Sequence, residues 1–196
     1  MKPKFSIIVV DCDRHTPREG ALRGINSILA QTFRDFEVIF VHNGSKKQPY
    51  EEEFDLSALE KIKTIYIKEE FNDWGNTSRN YGSRVADGEY FLFFNIDNLL
   101  YPRCLERVNE CLEEGTVGKE MVIFAIIHNK NAERILTGNP VLFQHIDCLQ
   151  VVASKEAWES IGFWNRYEYE ADAHLFLELS AKYPPFHIEE ILAENF

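Results

Sequence analysis

The chain has 196 residues, of which 45% are hydrophobic, and it carries a formal net charge of -11. This length provides for one well-buried core, so the sequence predicts a single domain over residues 1–196. The negative charge argues against nucleic acid or an anionic membrane surface as the main partner. No apolar run approaches the ~18 residues of a transmembrane segment, and the expected location is the cytoplasm.

Strand and helix patterns alternate through roughly the first two thirds of the chain. Continuous apolar runs that stop at polar residues predict strands buried on both faces, and apolar residues three and four positions apart predict helices. In order, the predicted elements are a strand at Phe5 to Asp11, a helix at Arg18 to Gln31, a strand at Phe36 to Val41, a solvated Glu-rich segment at Glu51 to Glu60, a strand carrying Ile62, Ile65 and Ile67, a helix at Thr77 to Ala86, a strand at Glu89 to Asn95, and a helix that Pro102 opens and Gly115 stops.

The last third of the chain has a weaker pattern. It predicts a strand at Met121 to Ile127, a strand at Ile146 to Val152, a helix capped by Ser154 and ended by Gly162, and a helix from Ala171 to about Tyr183. Together the elements predict an α/β fold in which helices cover both faces of a mostly parallel sheet.

Polar residues follow three of the predicted strands. Ligands of open α/β sheets bind outside the carboxyl ends of the strands, so these residues are expected to converge at one edge. An unpaired buried carboxylate is costly, so Asp97 must either reach the surface or meet a cation. The residues are Asp11, Cys12 and Asp13 after the first strand, His42 and Asn43 after the second, and Asn95, Asp97 and Asn98 at the end of the strand from Glu89.

Several motifs, in this order and spacing, resemble the inverting GT-A glycosyltransferases of the large family that contains cellulose, chitin and polysaccharide synthases. They are SIIVV (Ser6 to Val10), SILAQTFRDFEVIFVHNGS (Ser27 to Ser45), RNYGSRVADGEYFLFFNIDN (Arg79 to Asn98) and ADAHLFLEL (Ala171 to Leu179). The resemblance implies a GT-A, Rossmann-like three-layer α/β/α sandwich. It also implies a nucleotide-diphosphate sugar donor, foremost a UDP-sugar, held by residues up to about 100. The acceptor hydroxyl then belongs to the remainder, about 101–196, and the cofactor is Mn²⁺ or Mg²⁺.

The Asp-x-Asp metal motif of the family falls on Asn95, Ile96 and Asp97, followed by Asn98. The resemblance implies that Asp97 anchors the metal, with Asn95 beside it. One carboxylate suffices where water and phosphate oxygens complete the coordination. Alternatively, Asp97 and Asn98 only cap the turn before Pro102.

The catalytic base of the family falls on Asp172. A sugar hydroxyl is a poor nucleophile, and a carboxylate within hydrogen-bond reach can take its proton as the new bond forms. Alternatively, Asp172 is only a residue that the helix macrodipole favours in the first turn.

The donor residues that the resemblance implies depart from the family pattern. P-x-Y-N is replaced by Val10, Asp11, Cys12 and Asp13, and D-D-G-S by His42, Asn43, Gly44 and Ser45. Asn43 matches the acidic residue that contacts a uracil edge, and its amide offers both a donor and an acceptor. His42 is either a surface histidine at a strand end or a ligand.

Arg79 matches the arginine beside the donor phosphates; it is either a phosphate clamp or a surface residue paired with an acid. Asn80 completes the R-N motif or only ties the helix to its loop. Trp158, Trp164, Tyr167 and Tyr169 either stack on sugar rings near Asp172 or pack in the core or a lid.

Two other functional classes compete with the enzyme. A nucleotide-sugar binding module that has lost turnover accounts for the departures at Cys12, His42, Asn43 and Asn95, but a pure binder needs no base at Asp172. A nucleotidyltransferase would need a glycine-rich, basic loop after the first strand, where this chain has Asp11, Cys12 and Asp13.

Overall fold

The alternation of strands and helices is present in the computed structural model, which describes residues 2–12, 17–44, 54–114 and 119–196. The strands are β1 (Phe5–Cys12), β2 (Phe36–Asn43), β3 (Ile62–Ile67), β4 (Tyr90–Asn95), β5 (Leu99–Leu100), β6 (Met121–His128), β7 (Asn131–Leu136), β8 (Val151–Ser154) and β9 (Phe186–Glu194). The helices are α1 (Arg18–Leu29), α2 (Asn76–Val85), α3 (Cys104–Glu114), α4 (Lys155–Ser160) and α5 (Ala171–Lys182), with a 3-10 turn at Cys148–Gln150.

The strands form one sheet in the order β3-β2-β1-β4-β8-β6-β9-β5. Strand β7 pairs with the carboxyl-terminal residues of β6, Ile126 to His128. Strands β1 to β4 are parallel to one another. Strand β8 is antiparallel to both β4 and β6, so β6 runs in the same direction as β4. Strand β9 is parallel to β6 and therefore runs in this direction too. The predicted mostly parallel sheet is therefore confirmed.

Apolar side chains form a core on each face of the sheet, because successive residues of a strand point to opposite sides. One core joins Ile7 and Val9 of β1 to helices α1 and α3. The other joins Ile8 and Val10 to α4 and α5, and α2 packs on this second face with Gly82 against Ile8. The predicted three layers are present.

The strand predicted at Ile146 to Val152 is wrong over most of its length. Asp147 accepts a hydrogen bond from the backbone N–H of Leu149 at 2.9 Å, and the Gln150 side chain accepts one from the N–H of Asp147 at 3.0 Å. This capping box favours a helical turn over an extended chain. Strand β8 therefore begins only at Val151.

The sequence prediction also misses smaller features. From Phe54 onward, the segment predicted to be solvated places Phe54, Leu56 and Leu59 in the core; its first residues, 51–53, lie outside the described residues, as does Gly115. Strand β5 has only two residues, and β7 is almost entirely exposed, so neither gives a periodic apolar signal. Among the described residues, no helix has both the length and the apolar character needed to cross a membrane.

Candidate active site

The three predicted strand ends converge at one edge of the sheet. The register aligns Val10 with Asn95 on one side of β1, and Asp11 with His42 and Cys12 with Asn43 on the other. The parallel register of β1 with its two neighbours produces this arrangement. Asp13 and Ser45, which the sequence places beside them, lie outside the described residues.

A cavity of about 420 Å³ opens beside this edge, and its lining residues come from positions between Trp74 and Ala173. It brings together three of the predicted site residues: Arg79 from α2, Asn95 from the end of β4, and Asp172 from α5. The other predicted residues are described but are not among those that line this cavity; they are Val10, Asp11, Cys12, Asn43, Ile96 and Asp97.

Arg79 is buried, with 4% of its surface exposed, although it lines the cavity. Its Nη1 donates to the carbonyl oxygen of Trp74 at 2.8 Å, and its Nη2 to Oδ1 of Asn95 at 2.9 Å. The guanidinium also lies 4.6 Å from the ring centroid of Trp164. These partners are all neutral, so the positive charge is held next to the cavity in a form that suits an anionic ligand. The alternative of a surface arginine is wrong.

Asp172 lies in the first turn of α5 and is largely buried at the cavity wall. Its Oδ1 accepts a hydrogen bond from the N–H of Ala173 at 2.7 Å. Burial, and next the negative charge of Asp147, raise its pKa to about 6. A carboxylate with this pKa is ionised at neutral pH and is a stronger base than an exposed aspartate.

Asp147 and His128 belong to the same cavity and were missed by the sequence predictions. Oδ2 of Asp147 lies 3.6 Å from Nε2 of His128 and accepts a hydrogen bond from Nδ2 of Asn195 at 3.3 Å. The D-x-x-Q capping box at Asp147 to Gln150 was the available signal for this turn. The position of His128 depends on the end of β6 and has no local sequence signal.

The turn after β4 carries Asp97. Nη2 of Arg23 donates to the backbone carbonyl of Asp97 at 2.6 Å, and the N–H of Asn98 donates to the carbonyl of Asn95 at 2.9 Å. Helix α1 approaches closely because Gly24 has no side chain: a Cβ there would overlap the carbonyl oxygen of Ile96. Burial raises the pKa of the Asp97 carboxyl, and the charge of Asp11 acts in the same direction.

A divalent cation at this turn would depend largely on oxygen ligands from water and a bound phosphate. Among the residues that the structure describes, no three His, Cys, Asp or Glu side chains cluster as a metal site. Asp97 offers a hard carboxylate ligand, and Mg²⁺ and Mn²⁺ bind at one or two carboxylates when water and phosphate supply the rest. Oδ1 of Asn95, the second predicted ligand, accepts the hydrogen bond from Arg79 in this structure.

Residues 6–159 match the model of the family described as Glycosyl transferase family 2. The chain belongs to this family. An uncharacterized glycosyltransferase of Rickettsia conorii is 38% identical over 90 residues, which are 46% of this chain and 14% of the relative. One of Nostoc sp. is 29% identical over 140 residues, 69% of this chain and 42% of the relative. The chain thus spans less than half the length of either family relative.

Solved structures of glycosyltransferases share the fold. S. aureus TarS 1-349 superimposes with a TM-score of 0.78 at 14% identity, covering 98% of this chain and 60% of that one. The same TarS fragment has been solved with UDP and with UDP-GlcNAc. The mannosyltransferase PcManGT of Pyrobaculum calidifontis, in complex with GDP-Man and Mn²⁺, gives a TM-score of 0.70 at 16% identity, covering 99% of this chain and 57% of that one. The GT-A fold predicted for the chain is therefore confirmed.

Asn43 and His42, two of the strand-end residues, hydrogen-bond or pair with other residues of the chain. Nδ2 of Asn43 donates to the carbonyls of Ile67 and Glu69, and its Oδ1 accepts from the N–H of Phe71 at 3.1 Å. His42 is fully buried, with Nδ1 3.0 Å from Oδ2 of Asp11. The alternative of a surface histidine is wrong.

The aromatic residues divide into core and rim. Trp158 and Trp164 are both buried in the core, although Trp164 also forms part of the cavity wall. Asn80 ties α2 to this wall: its Nδ2 donates to the Trp164 carbonyl at 2.7 Å, and its Oδ1 accepts from the Trp164 N–H at 3.1 Å. The predicted tie to the neighbouring loop is therefore replaced by a tie to a residue 84 positions later in the chain. Tyr169 lies on the exposed rim together with Trp74, which the sequence predictions did not single out.

Proposed function

We propose that this chain is the nucleotide-sugar domain of a glycosyltransferase that moves a sugar from a nucleotide-diphosphate donor to an acceptor hydroxyl with inversion. One observation carries the proposal. A buried arginine with neutral partners, Arg79, and an aspartate with a pKa of about 6, Asp172, face the same cavity. Membership in glycosyl transferase family 2 supports the same activity.

In the proposed reaction, Asp172 removes the proton of the acceptor hydroxyl as its oxygen bonds to the anomeric carbon of the sugar. The bond from that carbon to the diphosphate oxygen breaks, and the electron pair leaves with the nucleotide diphosphate. Attack from the side opposite the leaving group inverts the anomeric configuration. Arg79 is suited to stabilise the negative charge of the leaving group, because its guanidinium is already oriented and shielded from water.

Mn²⁺ or Mg²⁺ is the proposed cofactor, with Asp97 as its anchor and Asn95 as the second candidate ligand. The bound cation would neutralise charge on the diphosphate. A chain with a net charge of -11 needs such local positive charge to bind an anionic donor.

We assign the nucleoside to the strand ends of the donor half, about 1–100, and the acceptor to the remainder. The proposed nucleoside contacts are Val10, Asp11, Cys12, Asn43 and Ile96. UDP is the proposed carrier, in line with the UDP complexes of TarS, whereas the GDP-Man complex of PcManGT illustrates the alternative. A cytoplasmic location also stays a prediction.

A second candidate is a nucleotide-sugar binding module without turnover. The observation that favours it is the engagement of Asn43 by the loop after β3, which leaves fewer polar groups for the nucleobase. Asp172→Asn separates the two candidates. An enzyme loses sugar transfer and still binds donor, whereas a binding module has no transfer to lose.

The test of donor and metal binding is calorimetric titration of UDP with and without Mn²⁺. We expect Mn²⁺ to strengthen UDP binding strongly, and we expect Asp97→Ala to lose this gain. Glu114→Ala removes an exposed acid at the end of α3 and is the matched control, with binding unchanged. Absence of UDP binding with either metal, while GDP also fails to bind, would overturn the proposed donor site.

A further inference from the structure

Two large aromatic side chains stand exposed on the rim of the cavity. Trp74 is 65% exposed and Tyr169 is 72% exposed, and both line the cavity that holds Asp172. Their rings touch edge to face, with centroids 4.8 Å apart and planes inclined by 69°. Trp74 precedes α2 and Tyr169 precedes α5, so the pair joins the loops that lead into these two helices.

The backbone holds Trp74 in this exposed position. Its φ is 59°, in the left-handed region that is unusual for a bulky residue. The Asp73 carboxylate accepts hydrogen bonds from the N–H groups of Gly75 at 3.2 Å and Thr77 at 2.8 Å, and Arg79 donates to the Trp74 carbonyl. A strained residue that its surroundings hold in place at a site is a pointer to function. The indole is therefore presented to the cavity by an ordered loop.

The charges around the pair indicate the kind of ligand. Glu170 and Asp172, which are close to Tyr169 in the sequence, also line the cavity, and Asp147 adds a third carboxylate. The two arginines of the lining are Arg79, which the proposed donor diphosphate engages, and Arg134. Apart from Arg79, the lining thus carries three carboxylates and one guanidinium, a balance that disfavours an anionic acceptor and suits hydroxyl groups that donate to carboxylates.

We propose that Trp74 and Tyr169 form an acceptor subsite for a neutral pyranoside, and this rests on the proposed function. The C–H face of a pyranose ring is apolar and flat enough to cover an aromatic surface, while its hydroxyls point outward from the ring edge. Burial of that face on the two rings removes apolar surface from water. Glu170 then accepts a hydroxyl hydrogen bond, and a second hydroxyl reaches Asp172.

The fluorescence of Trp74 provides a direct test in the full chain. The chain has three tryptophans, and Trp158 and Trp164 are only 0% and 1% exposed, so the solvent-exposed emission comes from Trp74. Methyl glucopyranoside and methyl N-acetylglucosaminide are titrated with and without UDP and Mn²⁺. Sorbitol has similar hydroxyls without a ring, and glucuronate adds a negative charge. We expect a saturable blue shift with the two pyranosides, and at least tenfold weaker binding of sorbitol and glucuronate.

Variants of the rim sharpen the test. Tyr169→Ala should weaken pyranoside binding at least fivefold, whereas Tyr169→Phe keeps the ring and should stay within twofold. Tyr167→Ala is the matched control, because Tyr167 is 57% exposed in the same loop but does not line the cavity. Trp74→Ala, followed by calorimetry because the fluorophore is removed, should abolish the binding.

The outcomes separate this inference from the proposed function. If UDP binds and neither pyranoside shifts the emission, or sorbitol binds equally well, the subsite is wrong and the donor site stands. If UDP alone produces the same shift, Trp74 serves the nucleobase and the subsite is again wrong. If UDP does not bind but the pyranosides still shift Trp74, the proposed function fails while the saccharide site is supported.

Discussion

Arg79 donates a hydrogen bond to Oδ1 of Asn95 at 2.9 Å, which joins α2 to the end of β4. Asn95 occupies the first acidic position of the metal motif that the sequence resembles. Because an amide replaces a carboxylate there, the hydrogen-bond partners of the buried guanidinium within the described part of the chain are uncharged. The charge of Arg79 is thereby kept for a ligand.

Asn95→Asp should give Arg79 a permanent counter-ion. We expect the free energy of unfolding to rise by about 1 kcal/mol, because a charge-assisted bond replaces a neutral acceptor beside a cation that is already buried. Metal-free affinity for UDP should fall at the same time, since the carboxylate competes with phosphate. Urea denaturation and calorimetry in the presence of EDTA measure the two effects. Asn95→Ala is the control, and its free energy of unfolding should fall by about 1–3 kcal/mol. A larger fall in Asn95→Asp than in this control would contradict the expected ion pair with Arg79.

Asp172→Asn should lower sugar transfer by about 10²–10⁴-fold, because the amide cannot accept the acceptor proton. The affinity for UDP should stay within twofold, since the proposed role of Asp172 is toward the acceptor. Initial rates of transfer and UDP titration measure the two quantities. Glu168→Gln alters an exposed acid of the preceding loop and should leave both unchanged. Equal losses of binding and transfer would show that Asp172 acts on the donor or on the fold.

The pH dependence of transfer should follow Asp172. Its pKa is raised to about 6, so the base is protonated below that pH and the rate should rise as the pH increases through about 6. Asp147→Asn removes the negative charge that helps to raise this pKa, so the rising limb should move to lower pH. The measurement is kcat/KM from pH 4.5 to 8. A limb that stays in place in Asp147→Asn, or moves upward, would contradict the coupling of the two carboxylates.

Gly24→Ala should disturb the turn that carries Asp97. The new Cβ would overlap the carbonyl oxygen of Ile96, and a backbone atom cannot move aside as a flexible side chain does. We expect a loss of about 3 kcal/mol in stability and weaker metal-dependent UDP binding. Thermal unfolding and calorimetry measure these changes. Leu22→Ala, on the exposed side of the same helix, is the control; a Gly24→Ala protein as stable as this control would refute the close packing.

The sequence predicts the parallel part of the fold well. Strands β1, β2 and β4 are mostly apolar along their length, which is typical of strands that are covered on both faces. The same pattern fails near Ile146, where the Asp147 capping box outweighs the apolar residues around it. Local sequence decides an element only where no tertiary contact or cap competes with it.

The site was only partly predictable for a related reason. Motifs indicated Asp172, Arg79 and Asn95, and the fold brings these three to one cavity. Asp147 and Trp74 gave no comparable signal, because their positions depend on a capped turn and on a left-handed residue. The amide of Asn43 is held by backbone groups about 25 residues later in the chain, a contact that only the folded loop creates.

Strand β9 and the two residues after it contact residues that come much earlier in the sequence. The strand pairs with β6 and β5, and beyond it the N–H of Phe196 donates to Oδ1 of Asn98 while Asn195 donates to Asp147. During synthesis on a ribosome, Arg79, Asp97 and Asp172 all emerge before these contacts can form. Until β9 and the two residues after it have left the exit tunnel, β6 therefore lacks its parallel neighbour, and Asn98 and Asp147 lack these hydrogen bonds.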